Sequence, residues 1–340
     1  MTAERRPAST IKDIARQLGI SHATVSRALS DHPLVKDETR ELVRRTAEAL
    51  GYVPNSGARL MRHGLSHVVG LIVPDVQNEF YSAAASAMAE HCQRLGYQLN
   101  LCVSEDDPNR EERHVQALRE SRVEGVLIVP CGSSTTRTLA LLNKLPTVQF
   151  LRTDPRLGAA VVAADDELAT YMATKHLIEL GHQRIALISV PRSASTGRQR
   201  IAGYELAMTE YSLKVQPSLQ KVVSARPEFG YSALNELLSR RYPPTAVVIG
   251  SSRQALGALR AVRERGLSVP GDLSMVAFAD SDWMQVCSPP LTAVSLPVGE
   301  MCLRATQILF GLLGKTTTVD DATLPFSPQL VLRDSASPRE

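Results

Sequence analysis

Residues 10–29 read TIKDIARQLGISHATVSRAL, and this stretch decides the fold of the N-terminal part of the chain. Thr10 followed by Asp13 is a capping-box-like start of a helix. Apolar residues then recur with the spacing of one helical face, at Ile11, Ile14, Ala15 and Leu18. Gly19 supplies the left-handed conformation of a tight turn, and Ser21 is a good N-cap for a second helix. The stretch therefore predicts helix, turn, helix.

A third helix is predicted to begin near Asp37 and to end at Gly51. Its predicted apolar face consists of Thr39, Leu42, Val43, Ala47 and Leu50. Three short helices packed on such faces form the smallest core that can hold the second helix in a DNA major groove. The alternative is a three-helix bundle with no role in DNA binding.

The charge of the chain is concentrated at this end. Residues 1–66 hold eleven Lys and Arg against seven Asp and Glu, whereas the remaining residues hold 27 against 28. Local positive charge is typical of a module that contacts phosphates. At 340 residues, the chain has the length of two or three domains.

The composition, with 44% hydrophobic and 21% charged residues, predicts a soluble protein. The longest apolar runs, such as residues 68–74, are far shorter than the roughly 18 residues of a membrane span. No apolar segment follows residues 1–7, so we expect a cytoplasmic chain without a secretory signal or a membrane contact. The cysteines are odd in number and widely spaced, which predicts reduced thiols and neither metal nor cofactor. They are Cys92, Cys102, Cys131, Cys287 and Cys302.

Three ordered blocks resemble the lac repressor (LacI) family of regulators: TIKDIAR at 10–16, GISHATVSR at 19–27 and GYVPN at 51–55. The resemblance continues to residues 289–292, and within the family the sequence resembles the sugar-type, GalR-like members. It implies a DNA-binding transcription regulator, a repressor, rather than an enzyme. It also implies a homodimer that reads an approximately palindromic double-stranded operator. The polar end after Leu332 offers no leucine heptad for a tetramer.

The family's base-reading positions fall on His22, Ala23 and Arg27 of this sequence. Arg27 can donate two hydrogen bonds to guanine, His22 can donate to guanine or phosphate, and Ala23 offers a methyl-sized contact for thymine. The alternative for His22 is a solvated helix residue. Three hydroxyl residues suit phosphate contacts or helix caps better than base reading: Ser21, Thr24 and Ser26.

Residues 54–62, PNSGARLMR, resemble the family's hinge, which orders in the minor groove and inserts an apolar side chain between base pairs. The wedge position falls on Met61, with Leu60 as the competing candidate. Asn55 and Ala58 are the other predicted hinge contacts. A flexible linker is the alternative.

From Val68 onward, short β runs alternate with helical stretches, which predicts an α/β fold with parallel sheets. The resemblance implies a two-lobed sensor of the periplasmic-binding-protein-like type, with the chain crossing between lobes near Asp165, Leu296 and Phe326. The expected organisation is a headpiece at 1–53, a hinge at 54–66, an effector-binding and dimerisation domain at 67–333 (N-lobe 67–165 and 297–325, C-lobe 166–296 and 326–333), and a polar tail at 334–340.

In open α/β sheets, ligands bind beside the carboxyl ends of the strands, so the loops after the strands should line a cleft between the lobes. Arg200 falls on the family's effector-binding arginine, and a structural salt bridge is the alternative for it. The other candidates are Asp75, Asn78, Phe80, Tyr81, Arg152, Asp165, Ser251 and Asp280.

Two departures from sugar-binding relatives favour an anionic effector. Ser251 and Ser252 stand where those relatives often carry Asn-Asp, and Ala279 precedes Asp280 where they carry an Asp pair. Several arginines are predicted near strand ends: Arg152, Arg192, Arg198, Arg200 and Arg253. A sugar acid, an aromatic acid or a phosphorylated metabolite fits this balance.

The sequence has three rival interpretations. An enzyme is disfavoured because the sequence has no Gly-x-Ser-x-Gly, His-Glu-x-x-His or Gly-x-Gly-x-x-Gly motif. A secreted solute-binding protein is disfavoured by the headpiece. A degenerate regulator that answers to a protein partner, or to no effector, stays open because the two sugar acceptors are missing.

Overall fold

The computed structural model describes residues 9–29, 32–52, 66–316 and 325–339. The chain divides into two compact units, residues 1–66 and residues 67–340. Within the described ranges, every helix is too short or too polar to cross a membrane.

The first unit contains three helices: α1 (Ile11–Leu18), α2 (His22–Leu29) and α3 (Asp37–Ala49). The backbone N–H and the hydroxyl of Thr10 donate to the Asp13 carboxylate at 2.9 and 2.7 Å. Gly19 ends α1 with a φ of +65°, and Ser21 Oγ accepts from the backbone N–H of Thr24 at 3.1 Å. These bonds confirm the predicted helix, turn and helix.

One small apolar core holds the three helices together. Its buried members are Ile14, Ala15, Val25, Ala28, Val35, Val43 and Ala47. The predicted face of α3 was wrong at Leu42, which is 53% exposed, whereas Thr46 is buried. Positions 43, 46, 47 and 50 follow the helical period toward the core, and Leu42 lies just outside that stripe.

The second unit begins with a five-stranded parallel sheet in the order β2-β1-β3-β4-β5. Its strands are β1 (Val68–Val73), β2 (Gln98–Val103), β3 (Gly125–Ile128), β4 (Thr147–Phe150) and β5 (Ala160–Val162). Its helices are α4 (Glu79–Arg94), α5 (Pro108–Glu120) and α6 (Thr136–Leu142). A helix from much later in the chain, α12 (Val298–Leu313), packs against α4 and the same sheet. This is the N-lobe.

The C-lobe is built on a six-stranded sheet in the order β11-β10-β9-β8-β6-β7, parallel except for β11. Its strands are β6 (Ile185–Ser189), β7 (Gln220–Val222), β8 (Ala246–Ile249), β9 (Ser274–Phe278), β10 (Thr292–Ser295) and β11 (Gln329–Val331). Its helices are α7 (Asp166–Glu179), α8 (Ser195–Glu210), α9 (Pro227–Leu238), α10 (Ser252–Glu264) and α11 (Asp282–Val286). The predicted two-lobed α/β fold is confirmed.

The chain passes between the lobes at three adjacent places. The N–H of Asp165 donates to the carbonyl of Phe326 at 3.0 Å, and the N–H of Phe326 donates to the carbonyl of Ala163 at 2.8 Å. Leu296 and Phe326 pack into the N-lobe core. These are the three positions at which crossings were expected.

The C-terminal residues are bound to the C-lobe rather than separate from it. Ser335, in the segment expected as a polar tail, is fully buried and its hydroxyl donates to the Met275 carbonyl at 2.6 Å. His182 is buried and bonds through its ring nitrogens to Thr245 Oγ1 at 2.9 Å and Ser274 Oγ at 3.0 Å. Its Nε2 also lies 3.2 Å from the Ser337 carbonyl oxygen. These bonds lie at the amino-terminal ends of β8 and β9.

We expect the chain to lose stability as the pH falls below about 6.5. Burial lowers the pKa of His182 and of His176 below the ordinary value of 6.5. The folded state resists a protonation that the unfolded chain accepts, so the stability that the neutral imidazoles provide is complete above pH 6.5 and is lost as the pH falls below it.

Urea unfolding of the full chain between about pH 8 and about pH 5.5 tests this expectation. In the variant His182→Gln, the free energy of unfolding should depend less steeply on pH, with His176 accounting for the remaining slope. The difference in unfolding free energy between the two proteins at pH 8 serves as the control, because it measures the lost hydrogen bonds alone. Identical slopes for the two proteins would contradict the assignment.

Candidate functional site

The exposed surface of α2 is the candidate DNA-reading surface. Val25 and Ala28 are fully buried, whereas His22, Ala23 and Arg27 are exposed. At 100° per residue, the exposed three fall within an arc of about 140° on the helix. The positions predicted to read bases therefore share one solvent-facing side.

The hydroxyl residues of the same segment have local partners. Ser21 Oγ caps α2 and also lies 2.9 Å from Thr24 Oγ1. Thr24 and Ser26 are half-buried. Ser21 and Thr24 thus take part in the cap of α2, one of the two roles predicted for the hydroxyl residues. The hinge candidates Asn55, Ala58, Leu60 and Met61 lie outside the described residues.

A cavity of about 60 Å³ lies between the two lobes and brings most of the predicted effector residues together. We call it the inner chamber. The predicted residues that line it are Asp75, Asn78, Phe80, Tyr81, Arg152, Arg200 and Ser251. Sequence reasoning missed other lining residues, among them Asp106, Thr196 and Phe278. Asp106 follows the end of β2, so the rule that selected Asp75 also applies to it.

Asp165 and Asp280 do not line the inner chamber, which corrects the prediction for both. The Asp165 carboxylate caps α7 by accepting from the N–H of Leu168 at 2.8 Å. The Asp280 carboxylate forms an ion pair with Arg333 Nη1 at 2.7 Å. Both residues follow strands, but one carboxylate caps a helix and the other pairs with an arginine of the C-terminal segment.

Arg200 lines the inner chamber and is held by the C-lobe. Its Nε and Nη2 both lie 2.7 Å from Asp166 Oδ1, and its Nη1 donates to the Gly250 carbonyl. The guanidinium stacks 4.4 Å from the centre of the Phe278 ring. The Asp166 side chain is completely buried. The salt bridge that the sequence left as an alternative therefore exists, and it fixes Arg200 in the cavity wall.

Arg152 belongs to the N-lobe wall and pairs with Asp106. Its side chain is 7% exposed, and both terminal nitrogens donate to the Asp106 carboxylate. Among the described residues, no group accepts a hydrogen bond from Arg152 Nε, and Ser251 Oγ is likewise buried without a partner. Burial raises the pKa of the Tyr81 phenol, so its hydroxyl stays protonated. The inner chamber thus has polar atoms that a ligand could satisfy.

A second space of about 400 Å³, the outer chamber, adjoins the inner one. The two chambers share four lining residues, namely Pro74, Asp75, Asp106 and Ala225. Arg253 crosses the outer chamber from the C-lobe, and its Nη2 donates to Gln77 Oε1 of the N-lobe at 2.7 Å. A further bond between lobes runs from the N–H of Thr153 to Ser195 Oγ at 2.9 Å. The cleft is therefore closed in this structure.

The remaining predicted arginines lie away from the inner chamber. Arg198 lines a separate cleft with Arg156, and Arg192 pairs with Glu205 at 3.5 Å. All five cysteines are free thiols. Within the described part of the chain, no cluster of His, Cys, Asp or Glu could hold a metal ion.

Comparison with known proteins agrees with both units. Residues 10–55 match the model of the lacI family of bacterial regulatory proteins, and residues 174–336 match the periplasmic binding protein-like domain. The HTH-type transcriptional repressor PurR of Haemophilus influenzae (strain PittEE) is 33% identical over 334 residues, covering 96% of this chain and 98% of that protein. The regulator DegA of Bacillus subtilis (strain 168) is 31% identical, covering 97% and 98%.

Solved structures show the same fold. The lac repressor dimer bound to operator and the anti-inducer ONPF has a TM-score of 0.86 at 24% identity, over 97% of this chain and 99% of that one. The regulator CelR in complex with cellobiose has a TM-score of 0.72 at 28% identity, over 96% and 100%.

The two units define a DNA-binding transcription regulator with a ligand-binding sensor domain. The chain belongs to the LacI family of bacterial regulatory proteins. The resemblance seen in the sequence is confirmed, and so is the expectation that the protein is not an enzyme.

Loss of the Arg200 side chain should destabilise the sensor strongly. In Arg200→Met, the buried Asp166 loses its ion-pair partner, which costs about 3–5 kcal/mol of unfolding free energy. The double variant Arg200→Met, Asp166→Leu should recover much of that loss. Urea unfolding of the full chain measures both.

The control is Arg260→Met, which breaks an exposed ion pair with Glu264 and should change little. Additive losses in the double variant would contradict the coupling.

Proposed function

We propose that the protein is a transcriptional repressor that acts in the cytoplasm as a homodimer on an approximately palindromic operator. The observation that carries this proposal is the exposed side of α2, where His22, Ala23 and Arg27 stand opposite buried Val25 and Ala28. Relatives that match nearly the whole chain are named as repressors, and this supports repression as the output. The sensor changes operator affinity when a small molecule binds between its lobes.

In this proposal, α2 enters the major groove and Arg27 reads a guanine through two hydrogen bonds. Ala23 accommodates a thymine methyl group, and His22 donates to a base or a phosphate. Residues 54–66 act as the hinge, with Asn55, Ala58, Leu60 and Met61 as its minor-groove contacts. The excess of Lys and Arg in residues 1–66 adds attraction to the phosphates.

The effector binds in the inner chamber, where loops of both lobes meet. At about 60 Å³, this space is much smaller than the roughly 300–1,000 Å³ of most ligand sites. The lobes must therefore separate to admit a ligand and then close on it. Bonds such as Arg253 to Gln77 open and re-form in that movement. A difference in effector affinity between open and closed states would shift operator binding by about 1–3 kcal/mol.

The effector carries an acidic group. Arg152 Nε and Ser251 Oγ offer hydrogen bonds that no described residue uses, whereas Phe80 and Phe278 provide apolar walls. A carboxylate or phosphate on a compact apolar or sugar-like body matches this combination. The smallness of the inner chamber favours a second candidate, a regulator that answers to a protein partner instead of a metabolite.

Replacing Arg27 by Ala should relax base preference at one position of each operator half-site, because two hydrogen bonds to a guanine are lost. Selection of bound duplexes from random DNA, performed with the full chain and with the variant, measures this preference. Lys12→Ala, on an exposed position of α1, is the matched control and should keep the selected sequence. An unchanged sequence profile for Arg27→Ala would refute its assigned role.

Calorimetric screening of the full chain should find ligands among small acids rather than neutral sugars, because buried guanidinium groups line the inner chamber. Sugars and their matching sugar acids form the informative pairs. If neutral sugars bind and the acids do not, the acidic effector is excluded. If neither class binds but operator selection succeeds, the second candidate is preferred.

A further inference from the structure

The two arginines of the inner chamber differ in the exposure of their carboxylate partners. Both guanidinium groups are buried, with side chains 7% exposed at Arg152 and 9% at Arg200. The Asp166 side chain is fully buried, so its carboxylate cannot leave Arg200 and be solvated by water. The Asp106 side chain is 49% exposed and can move into water at small cost. Of the two ion pairs, the one at Arg152 can therefore open.

Asp106 lies where the two chambers adjoin. It lines both of them, and it is one of four residues to do so. Glu105 and Asp106 have left-handed φ values of +54° and +56° in the turn between β2 and α5. Backbone bonds hold this turn, from Glu105 N–H to the Pro74 carbonyl and from Asp107 N–H to the Ser104 carbonyl, both at 3.0 Å. The Asp106 carboxylate thus reaches Arg152 from a fixed backbone.

We propose that Asp106 is a built-in competitor, which occupies the Arg152 guanidinium until the acidic group of an effector displaces it. This inference rests on the proposed function of the inner chamber as the effector site. An entering carboxylate takes both terminal nitrogens of Arg152, and Asp106 turns into the outer chamber. One ion pair replaces another, so the buried guanidinium never lacks a counter-charge.

This exchange makes Asp106 a determinant of effector class. A neutral ligand offers Arg152 no counter-charge, so Asp106 stays in place and the inner chamber stays small. An acid competes with Asp106 on equal chemical terms for the two terminal nitrogens of Arg152. Removing the Asp106 charge should therefore raise the affinity for acids and leave the affinity for neutral analogues unchanged.

The test uses benzoate and its neutral analogue benzamide, titrated calorimetrically into the full chain and into Asp106→Asn. We expect benzoate to bind the variant at least about tenfold more tightly than the unaltered protein, with benzamide changed by less than about twofold. The matched control is Glu105→Gln, which removes a charge from the same turn but from a residue that pairs with Arg110. That control should leave benzoate affinity unchanged.

Three outcomes would overturn the proposal. The first is equal benzoate affinity in Asp106→Asn and the unaltered protein, the second is an equal gain in affinity in Glu105→Gln, and the third is no benzoate binding to either protein. The double variant Asp106→Asn, Arg152→Met should lose the gain, which shows that it acts through Arg152. Asp106→Ser replaces Asp106→Asn if the latter does not fold, with the same outcomes expected. Operator selection on the same proteins keeps the two proposals apart, because DNA preference can persist when the benzoate result is negative.

Discussion

Burial of Val25 and Ala28 is the constraint on which the DNA-binding role depends. These side chains are the fully buried members of α2, and they face Ile14 and Val43 in one small core. A helix turns 100° per residue, so fixing positions 25 and 28 inward fixes the residues on the other side outward. Apolar burial of this kind is worth about 1.5–3 kcal/mol per large side chain, which is substantial in a core of so few residues. The same packing that folds the headpiece thus orients the reading surface.

The sensor depends on a related rule, that buried charges need partners. Two guanidinium groups line the inner chamber, and each pairs with one carboxylate of the described residues. Complete burial of Asp166 makes its pair with Arg200 a fixed part of the C-lobe, supported by the Phe278 ring. Partial exposure of Asp106 makes the pair with Arg152 exchangeable. In our proposal, the same kind of ion pair therefore serves structure at Arg200 and effector recognition at Arg152.

Local signals in the sequence were sufficient for the headpiece helices, for the alternation of β and α segments in the sensor and for most residues that line the inner chamber. The cap at Thr10 and Asp13, the turn at Gly19 and the alternation of β and α segments all correspond to the structure. The rule that ligands lie beside strand ends located the inner chamber, because parallel strands end at the same edge of a sheet.

Pairings over long distances in the chain could not be predicted in the same way. Nothing near Asp280 in the sequence indicates that Arg333 will neutralise it, and Asp106 is 46 residues from Arg152. The docking of Ser335 against Met275 and the close helix contacts at Gly203 and Gly257 arise only when distant segments pack. An added Cβ would lie 2.0 Å from the Glu167 carbonyl oxygen at Gly203 and 1.8 Å from the Pro227 carbonyl oxygen at Gly257.

Competition between duplexes for the intact chain tests whether a rigidly held α2 reads base sequence. A labelled duplex from the selected pool is bound at moderate salt and challenged with unlabelled random-sequence DNA. If α2 reads base sequence, binding survives a competitor excess of about a thousandfold, as expected of sequence-specific regulators. Displacement by random DNA as readily as by the selected duplex would contradict it.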